Sequence, residues 1–383
     1  MITVGVIRSG ATYLASHLRK NDYWAEGEKE VEGEWIGLSA QSMNLQGPVT
    51  AAPFEALRLN RHPETGEPLT PRDALERTAF FDIQLSAPKD VSVLAMVGGD
   101  ERVKAAFVES VHCALREMER YAAVRERRGD AATSEEFRLT GNYVGAVFFH
   151  DASRDLDPQL HAHAVLANVT FDPARKQWMA LQPAEMLRAS PYLRQVLYRE
   201  LGSRLRALGY EVENMSAVGF NLKGLKHLRA RFSKRSKHVE QLAQEFAQQK
   251  GRQPTKKERE ILVRDSREQK LTKISTDLVR QRQRAQLTES EMRDLQALIT
   301  RARPQPLRPA TSLGNPREII DSALRHVYER VSVAREGLIY ATALSLHPHF
   351  NRWQELRPVL ENMRTPSVRS TRRAVNESRS PKR

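Results

Sequence analysis

The sequence predicts an α+β fold, and two kinds of periodicity in the chain support this class. Residues 80–85 and the segment around His161 and His163 alternate like half-buried strands, and residues 143–149 and 160–170 are strand-like segments. Residues 101–127 place apolar side chains at intervals of three and four, which predicts an amphipathic helix packed on a sheet. Strands and helices therefore occur together within the first half of the chain.

The remaining elements follow in chain order. Residues 3–7 predict a strand, Ser9-Gly10 a turn, and the residues from Ala11 a helix. Residues 25–60 give weak signals, and a short strand surrounds Trp178. A helix over residues 191–208 ends at Gly209, a residue that commonly terminates helices.

The charge of the chain indicates a polyanionic partner. Its 383 residues carry a formal net charge of +14, because 61 Lys and Arg outnumber 47 Asp and Glu. Neutralising phosphates with such residues releases condensed counterions, which favours binding to nucleic acid. No apolar run approaches the ~18 residues of a membrane helix, so we expect no membrane insertion. The single cysteine, Cys113, excludes an internal disulfide framework and favours a cytoplasmic location.

Four regions can be distinguished by composition. Residues 1–300 form the predicted main domain, and residues 301–316 a proline-rich linker. Residues 317–363 resume helical periodicity, and residues 364–383 form a basic tail expected to be disordered. A helical, Lys- and Arg-rich stretch closes the main domain, where a solvated helix face is the alternative to phosphate binding. The predicted DNA-binding residues there are Arg229, Arg231, Lys234, Arg235, Lys256 and Lys257.

The strongest chemical feature is a group of three histidines. His161 and His163 are two residues apart in a strand-like segment, so their side chains share one face of the strand. His150 ends the preceding strand-like segment, where an antiparallel neighbour would bring it alongside. Neutral imidazoles suit a divalent transition metal and leave coordination positions open. The alternative is two half-buried strand histidines and one histidine at a loop edge. His347-Pro-His349 is also an HxH pair, but its proline breaks the strand geometry, so we expect that pair at the surface.

Three further residues are candidates for catalysis. Asp82 lies on another strand-like segment, where it would orient a metal-bound histidine or act as a base near the nucleophile. Tyr13 and Tyr23 are close together near the N-terminus. On their own, these tyrosines also fit as amphipathic aromatic residues of a helix.

In this order, the motifs resemble the conjugative relaxases of the F-plasmid type, the MobF family of HUH (histidine–hydrophobe–histidine) endonucleases. The resemblance rests on N-terminal tyrosines, on Ser86-Ala-Pro-Lys-Asp-Val-Ser after Asp82, and on Asp157-Pro-Gln-Leu-His-Ala-His. Phe232-Ser-Lys-Arg also looks like that family, and the resemblance covers about residues 1–300. Many relatives carry adjacent tyrosine doublets, whereas Tyr13 and Tyr23 are single, so which acts first stays open.

The resemblance implies a central antiparallel sheet with flanking helices that carries Asp82 and the three histidines. It implies a divalent metal, Mg or Mn with Zn as the alternative, held by those histidines. It also implies nicking of single-stranded or hairpin origin-of-transfer DNA by Tyr13 through a 5′-phosphotyrosine bond, with Tyr23 for a second transfer. Relaxosome accessory and coupling proteins are the implied partners. Residues from Ala323 look like the start of a helicase part, but no GxxxxGK[ST] motor motif is present.

Three other functions remain open at this point. A replication initiator or transposase nuclease of the HUH class shares the chemistry, although its tyrosine usually follows the HxH motif. A hydrolytic three-histidine metalloenzyme would release a free 5′-phosphate without a covalent adduct. A basic DNA-binding protein with a structural metal site would normally need a fourth ligand.

Overall fold

The computed structural model describes residues 2–8, 33–71, 77–126, 137–153, 156–255, 258–259, 261–262, 276–304 and 314–363. Tyr13, Tyr23, Lys256 and Lys257 lie outside the described residues, as does most of the predicted proline-rich linker and the whole basic tail. The predicted strand at the N-terminus is present, and its turn and helix are also outside this range.

The described residues form strands and helices throughout their length. The strands are β1 (Ile2–Arg8), β2 (Glu34–Ile36), β3 (Thr78–Ser86), β4 (Ala123–Arg125), β5 (Phe137–Leu139), β6 (Gly145–Ala152), β7 (Pro158–Ala167), β8 (Thr170–Asp172), β9 (Gln177–Met179), β10 (Val212–Ser216) and β11 (Gly219–Leu222). The helices are α1 (Leu38–Ser42), α2 (Ala51–Arg58), α3 (Lys89–Met96), α4 (Glu101–Glu119), α5 (Ala184–Arg188), α6 (Ser190–Ala207), α7 (Lys226–Arg231), α8 (Lys234–Lys250), α9 (Thr276–Arg284), α10 (Glu289–Arg301), α11 (Pro316–Tyr328), α12 (Glu336–Leu346) and α13 (Leu356–Met363).

A five-stranded sheet in the order β1-β3-β7-β6-β2 forms the centre of the fold. Every neighbouring pair is antiparallel, which confirms the expected α+β class with a central antiparallel sheet. The strands predicted over residues 80–85, 143–149 and 160–170 become the three central strands β3, β6 and β7.

The two faces of this sheet are covered differently. One face packs against α3, α4 and α6 in the principal hydrophobic core, to which Leu85, Ala162 and Leu166 contribute. The other face carries a smaller apolar cluster over part of its surface, with Phe80, Phe148 and Val165 from the strands and Phe54 from α2. Because side chains alternate along each strand, the remaining positions of this second face are free for polar residues.

The helix predicted over residues 101–127 ends earlier, at Glu119. The buried Glu119 carboxylate accepts hydrogen bonds from the backbone N–H groups of Leu38 (2.7 Å) and Tyr143 (3.0 Å). These bonds fix the chain at the end of α4, and β4 begins at Ala123. The apolar residues 121–124 fit the interior of a strand connection as well as that of a helix, so local periodicity extended the helix too far.

Helices α11 to α13 belong to the principal core. Ile320, Tyr340 and Leu356 are fully buried in it together with residues of α4 and α6. The buried guanidinium of Arg199 on α6 donates to the carbonyl oxygens of Leu344 (2.6 Å) and Phe350 (2.9 Å). The predicted likeness of residues 317–363 to a helicase start stays a prediction, but these helices pack on the same core as the sheet. No helix of the described part of the chain is long and apolar enough to cross a membrane.

Candidate metal and nicking site

The three predicted histidines come together on the second face of the sheet. In the strand register, His150 on β6 lies directly opposite His161 on β7, and His163 lies one pleat further along β7. The ring centroid of His150 lies 5.2 Å from that of His161 and 5.2 Å from that of His163, and the latter two centroids are 5.3 Å apart. The prediction that an antiparallel neighbour brings His150 alongside the pair is therefore confirmed.

The residue between the two β7 histidines explains why they share a face. Ala162 is completely buried and points into the principal core on the opposite side of the sheet. Strand alternation then directs His161 and His163 away from that core. An apolar residue at this position fixes the register, because a slip by one residue would bury both imidazoles among aliphatic side chains.

Asp82 on β3 holds His163 in place. The Nδ1 atom of His163 lies 2.8 Å from Oδ1 and 3.0 Å from Oδ2 of Asp82, so the ring donates its Nδ1 proton to the carboxylate. His161 donates its own Nδ1 proton to the carbonyl oxygen of Gln159, at 2.8 Å. Both rings therefore present Nε2 as the nitrogen with a lone pair for a ligand.

Burial differs among the three histidines and keeps His161 in the neutral form. His161 and His150 are 6% and 8% exposed, and burial lowers the pKa of His161 to about 4. The side chain of His163 is 26% exposed, so the cluster opens to solvent on its side. A buried pair with one partly exposed member gives a site that a substrate can approach from one direction.

The donor set fits a divalent transition metal in chemistry and in spacing. Imidazoles that bind one ion through nitrogens at about 2.0–2.1 Å lie at ring separations of this order. As the side chains stand, no group of three or more His, Cys, Asp or Glu residues in the described ranges is arranged to hold a metal ion.

A polar strip continues from the histidines toward the edge of the sheet. Gln84 lies opposite His163 in the register, and Thr3 on β1 lies opposite Gln84. The Thr3 hydroxyl donates to Oε1 of Gln84 at 3.4 Å, and this bond is exposed. The sequence analysis did not identify these two residues, although the alternation of β3 places Gln84 on the same face as Asp82.

Three of the predicted DNA-binding side chains are paired within the protein. Arg229 donates to both oxygens of the buried Asp90, at 2.8 and 2.7 Å. Arg231 pairs with Glu291 at 2.7 Å, and the ammonium of Lys234 lies 3.8 Å from Asp157. The contact of Arg229 with Asp90 also gives it a structural role. Contact of these residues with DNA stays a prediction, as does that of Arg235, Lys256 and Lys257.

Known proteins are similar to this chain in sequence and in fold. The family model of the TrwC relaxase matches residues 7–290. The fold is similar to a solved structure of the conjugative relaxase TrwC in complex with oriT DNA, with 28% identity and a TM-score of 0.62 over 75% of this chain and 97% of that one. A metal-bound and a copper-bound structure of TrwC are equally similar, with TM-scores of 0.62 and 0.63 at 28% identity.

A curated relative is similar over a shorter stretch. The multifunctional conjugation protein TraI of Escherichia coli K12 is 35% identical over 230 residues, which are 57% of this chain and 13% of TraI. The chain thus spans a small part of the length of that relative. With most of its residues matched by one family model, this chain belongs to the TrwC relaxase family.

Proposed function

We propose that this relaxase cuts one strand of an origin-of-transfer DNA at a specific site and retains the cut end on a tyrosine. The observation that carries the proposal is the convergence of His150, His161 and His163, with Asp82 hydrogen-bonded to His163. The cluster is partly open to solvent at His163, and we propose that the phosphodiester approaches from that side.

The proposed reaction is a transfer of the phosphoryl group from DNA to Tyr13. The phenolic oxygen attacks phosphorus in line, a new O–P bond forms, and the bond to the 3′ oxygen breaks. The released 3′ oxygen takes up a proton, and the phenol loses one. The covalent bond preserves the energy of the phosphodiester, so the strand can be rejoined without ATP. Tyr23 is proposed to serve a second strand transfer.

Among the described residues, hydrogen bonds orient two of the histidines for the proposed reaction. Asp82 accepts the Nδ1 proton of His163 and so directs its Nε2 outward, which favours the orienting role of Asp82 over a role as base. The carbonyl of Gln159 does the same for His161. A divalent cation bound by these rings would neutralise the non-bridging phosphate oxygens and stabilise the charge of the transition state.

The identity of the metal and of the partners is also a proposal. Mg or Mn is proposed for the cell, with Zn as the alternative, whereas the similar TrwC structures include a copper-bound form. One of the solved TrwC complexes contains a 27-mer DNA with the recognition hairpin and the cleavage site. We propose a comparable hairpin substrate here, together with relaxosome accessory and coupling proteins and a cytoplasmic site of action.

A denaturing gel tests the proposal directly. The protein is incubated with a labelled origin-of-transfer oligonucleotide and Mn²⁺, and the expected product is a covalent adduct of reduced mobility. Tyr13→Phe should abolish the adduct and Tyr23→Phe should retain it. An adduct that persists in Tyr13→Phe and disappears in Tyr23→Phe would exchange the two roles. A free 5′-phosphate without any adduct would instead support the hydrolytic metalloenzyme.

A further inference from the structure

The turn between His150 and His161 is in contact with two of the basic helices, α8 and α9. We name residues 150–161 the metal hairpin; of these, the structure describes 150–153 and 156–161. Within the hairpin, the backbone N–H of Ser153 donates to the carbonyl of Asp157 at 2.9 Å. The N–H of Asp157 in turn donates to Oγ of Ser153 at 3.1 Å. These bonds close the turn but do not fix its direction relative to the rest of the protein.

Helix α9 contacts the turn through one hydrogen bond and one apolar side chain. Gln283 is 2% exposed although its neighbours Arg282 and Arg284 are exposed, and its Nε2 donates to the carbonyl of Leu156 at 2.8 Å. Val279, one turn earlier, packs against Ala152 and Leu156 in a small separate apolar cluster. Leu156 has a left-handed backbone conformation, with φ of 59°, which an aliphatic residue rarely adopts without support. The amide of Gln283 holds the carbonyl of this strained residue.

Helix α8 contacts the turn through its N-terminal backbone. Asp157 is 2% exposed, and its Oδ2 accepts the backbone N–H of Lys234, the first residue of α8, at 3.1 Å. A carboxylate at a helix N-terminus is stabilised by the unsatisfied N–H groups and by the helix dipole. Two residues that directly flank the turn on its C-terminal side, Leu156 and Asp157, are therefore each held by a different helix.

We propose that Gln283 is a positioning residue for the metal site, with Asp157 as its counterpart on α8, and this inference rests on the proposed function. His150 and His161 are cross-strand partners at the base of the hairpin, so the direction of the turn determines how their rings face each other. Without the Gln283 bond, the turn samples more conformations, and the imidazoles must be ordered when a metal binds. Metal affinity then falls while the sheet remains intact.

The experiment measures Mn²⁺ binding to the DNA-free, full-length protein by calorimetry. Gln283→Met keeps the size of the side chain and removes the donor, and Gln283→Glu replaces the donating amide by an acceptor. We expect both variants to bind Mn²⁺ about tenfold more weakly, at the lower end of the losses seen when metal-site supporting residues are replaced. Gln281→Ala, an exposed position of the same helix, is the matched control and should bind like the wild type.

Two further readouts separate positioning from general damage. Thermal unfolding identifies any variant that does not fold, and adduct formation at saturating Mn²⁺ should recover in Gln283→Met if only affinity is lost. Binding of Mn²⁺ by both Gln283 variants as tightly as by the wild type would overturn the inference and leave the proposed function intact. A wild-type protein that takes up no Mn²⁺ would overturn the metal site itself and the inference with it.

Discussion

Replacing Asp82 by asparagine tests whether the carboxylate sets the tautomer of His163, a proposed metal ligand. The carboxylate accepts the Nδ1 proton through both oxygens, at 2.8 and 3.0 Å. Asparagine has nearly the same shape, but its amide can also donate to Nδ1. That contact would stabilise the tautomer with the proton on Nε2, which cannot bind a metal. The substitution therefore changes the tautomer of His163 with little change in volume.

The magnitude follows from the type of bond that is lost. A hydrogen bond to a charged group contributes about 1.5–3 kcal/mol. At 1.4 kcal/mol for each factor of ten, this is a loss of roughly 10- to 100-fold in metal affinity. The same range is typical when the outer partner of a metal-bound histidine is replaced. The side chain of Asp82 is 14% exposed, so solvent screening reduces this interaction little.

The assay is a calorimetric Mn²⁺ titration of wild type and Asp82→Asn, followed by the adduct gel at several Mn²⁺ concentrations. Asp294→Asn removes the same charge from an exposed position on α10 and is the control. We expect weaker Mn²⁺ binding and a higher Mn²⁺ requirement for the adduct in Asp82→Asn. Unchanged affinity with a loss of adduct at all metal concentrations would refute the orienting role and favour a direct role as a base.

Three other substitutions test the fold and the proposed DNA-binding surface. Ala162→Leu overfills the core directly beneath the histidines and should lower the free energy of unfolding, measured with urea, by about 1–3 kcal/mol. It should also weaken Mn²⁺ binding. An unchanged free energy of unfolding and an unchanged Mn²⁺ affinity would contradict the tight packing of Ala162. Arg199→Met leaves buried carbonyls of the C-terminal helices without a donor and should cost about 2–4 kcal/mol of stability. Retention of full stability in urea would mean that these helices are not part of the core. Lys234→Gln should reduce the salt dependence of single-stranded DNA binding, measured by anisotropy, by about 0.7 in the logarithmic slope if this ammonium contacts one phosphate. An unchanged slope would remove Lys234 from the DNA surface.

The site was predictable from the sequence because its parts are encoded by strand alternation. The spacing of His161 and His163 places them on one face, and the strand-like segment that ends at His150 supplies a neighbour. The pairing of β1 with β3, which brings Thr3 next to Gln84, depends on residues 81 positions apart and leaves no local pattern. Gln283 was missed for the same reason, since its helix reads as a basic solvated face.

The C-terminal helices show a second limit of local patterns. The periodicity of residues 317–345 predicts an apolar stripe but does not say which surface covers it. In the structure α12 packs on α6, where Gln195 and Arg199 donate to carbonyl oxygens of Ala341, Leu344 and Phe350, whereas α11 packs on α12 and α13. The available signal in the sequence was the pair of polar side chains, Gln195 and Arg199, among the apolar residues of α6. Their role in binding the C-terminal helices can be assigned only from the carbonyl oxygens that accept their protons.

The unequal covering of the sheet explains how the fold tolerates three clustered histidines. One face packs against helices in the principal core, so its central positions are apolar, as Leu85 and Ala162 are. On the other face, the apolar cluster around Phe54 and Phe148 covers only part of the strands. A polar group that is buried beyond this cluster needs a partner, because an unsatisfied donor costs about 1–3 kcal/mol. Asp82 and the carbonyl of Gln159 provide such partners for two of the rings. The same hydrogen bonds that make burial of these imidazoles tolerable also select the tautomer with a free Nε2 lone pair, so stability and the proposed metal binding depend on one set of contacts at this site.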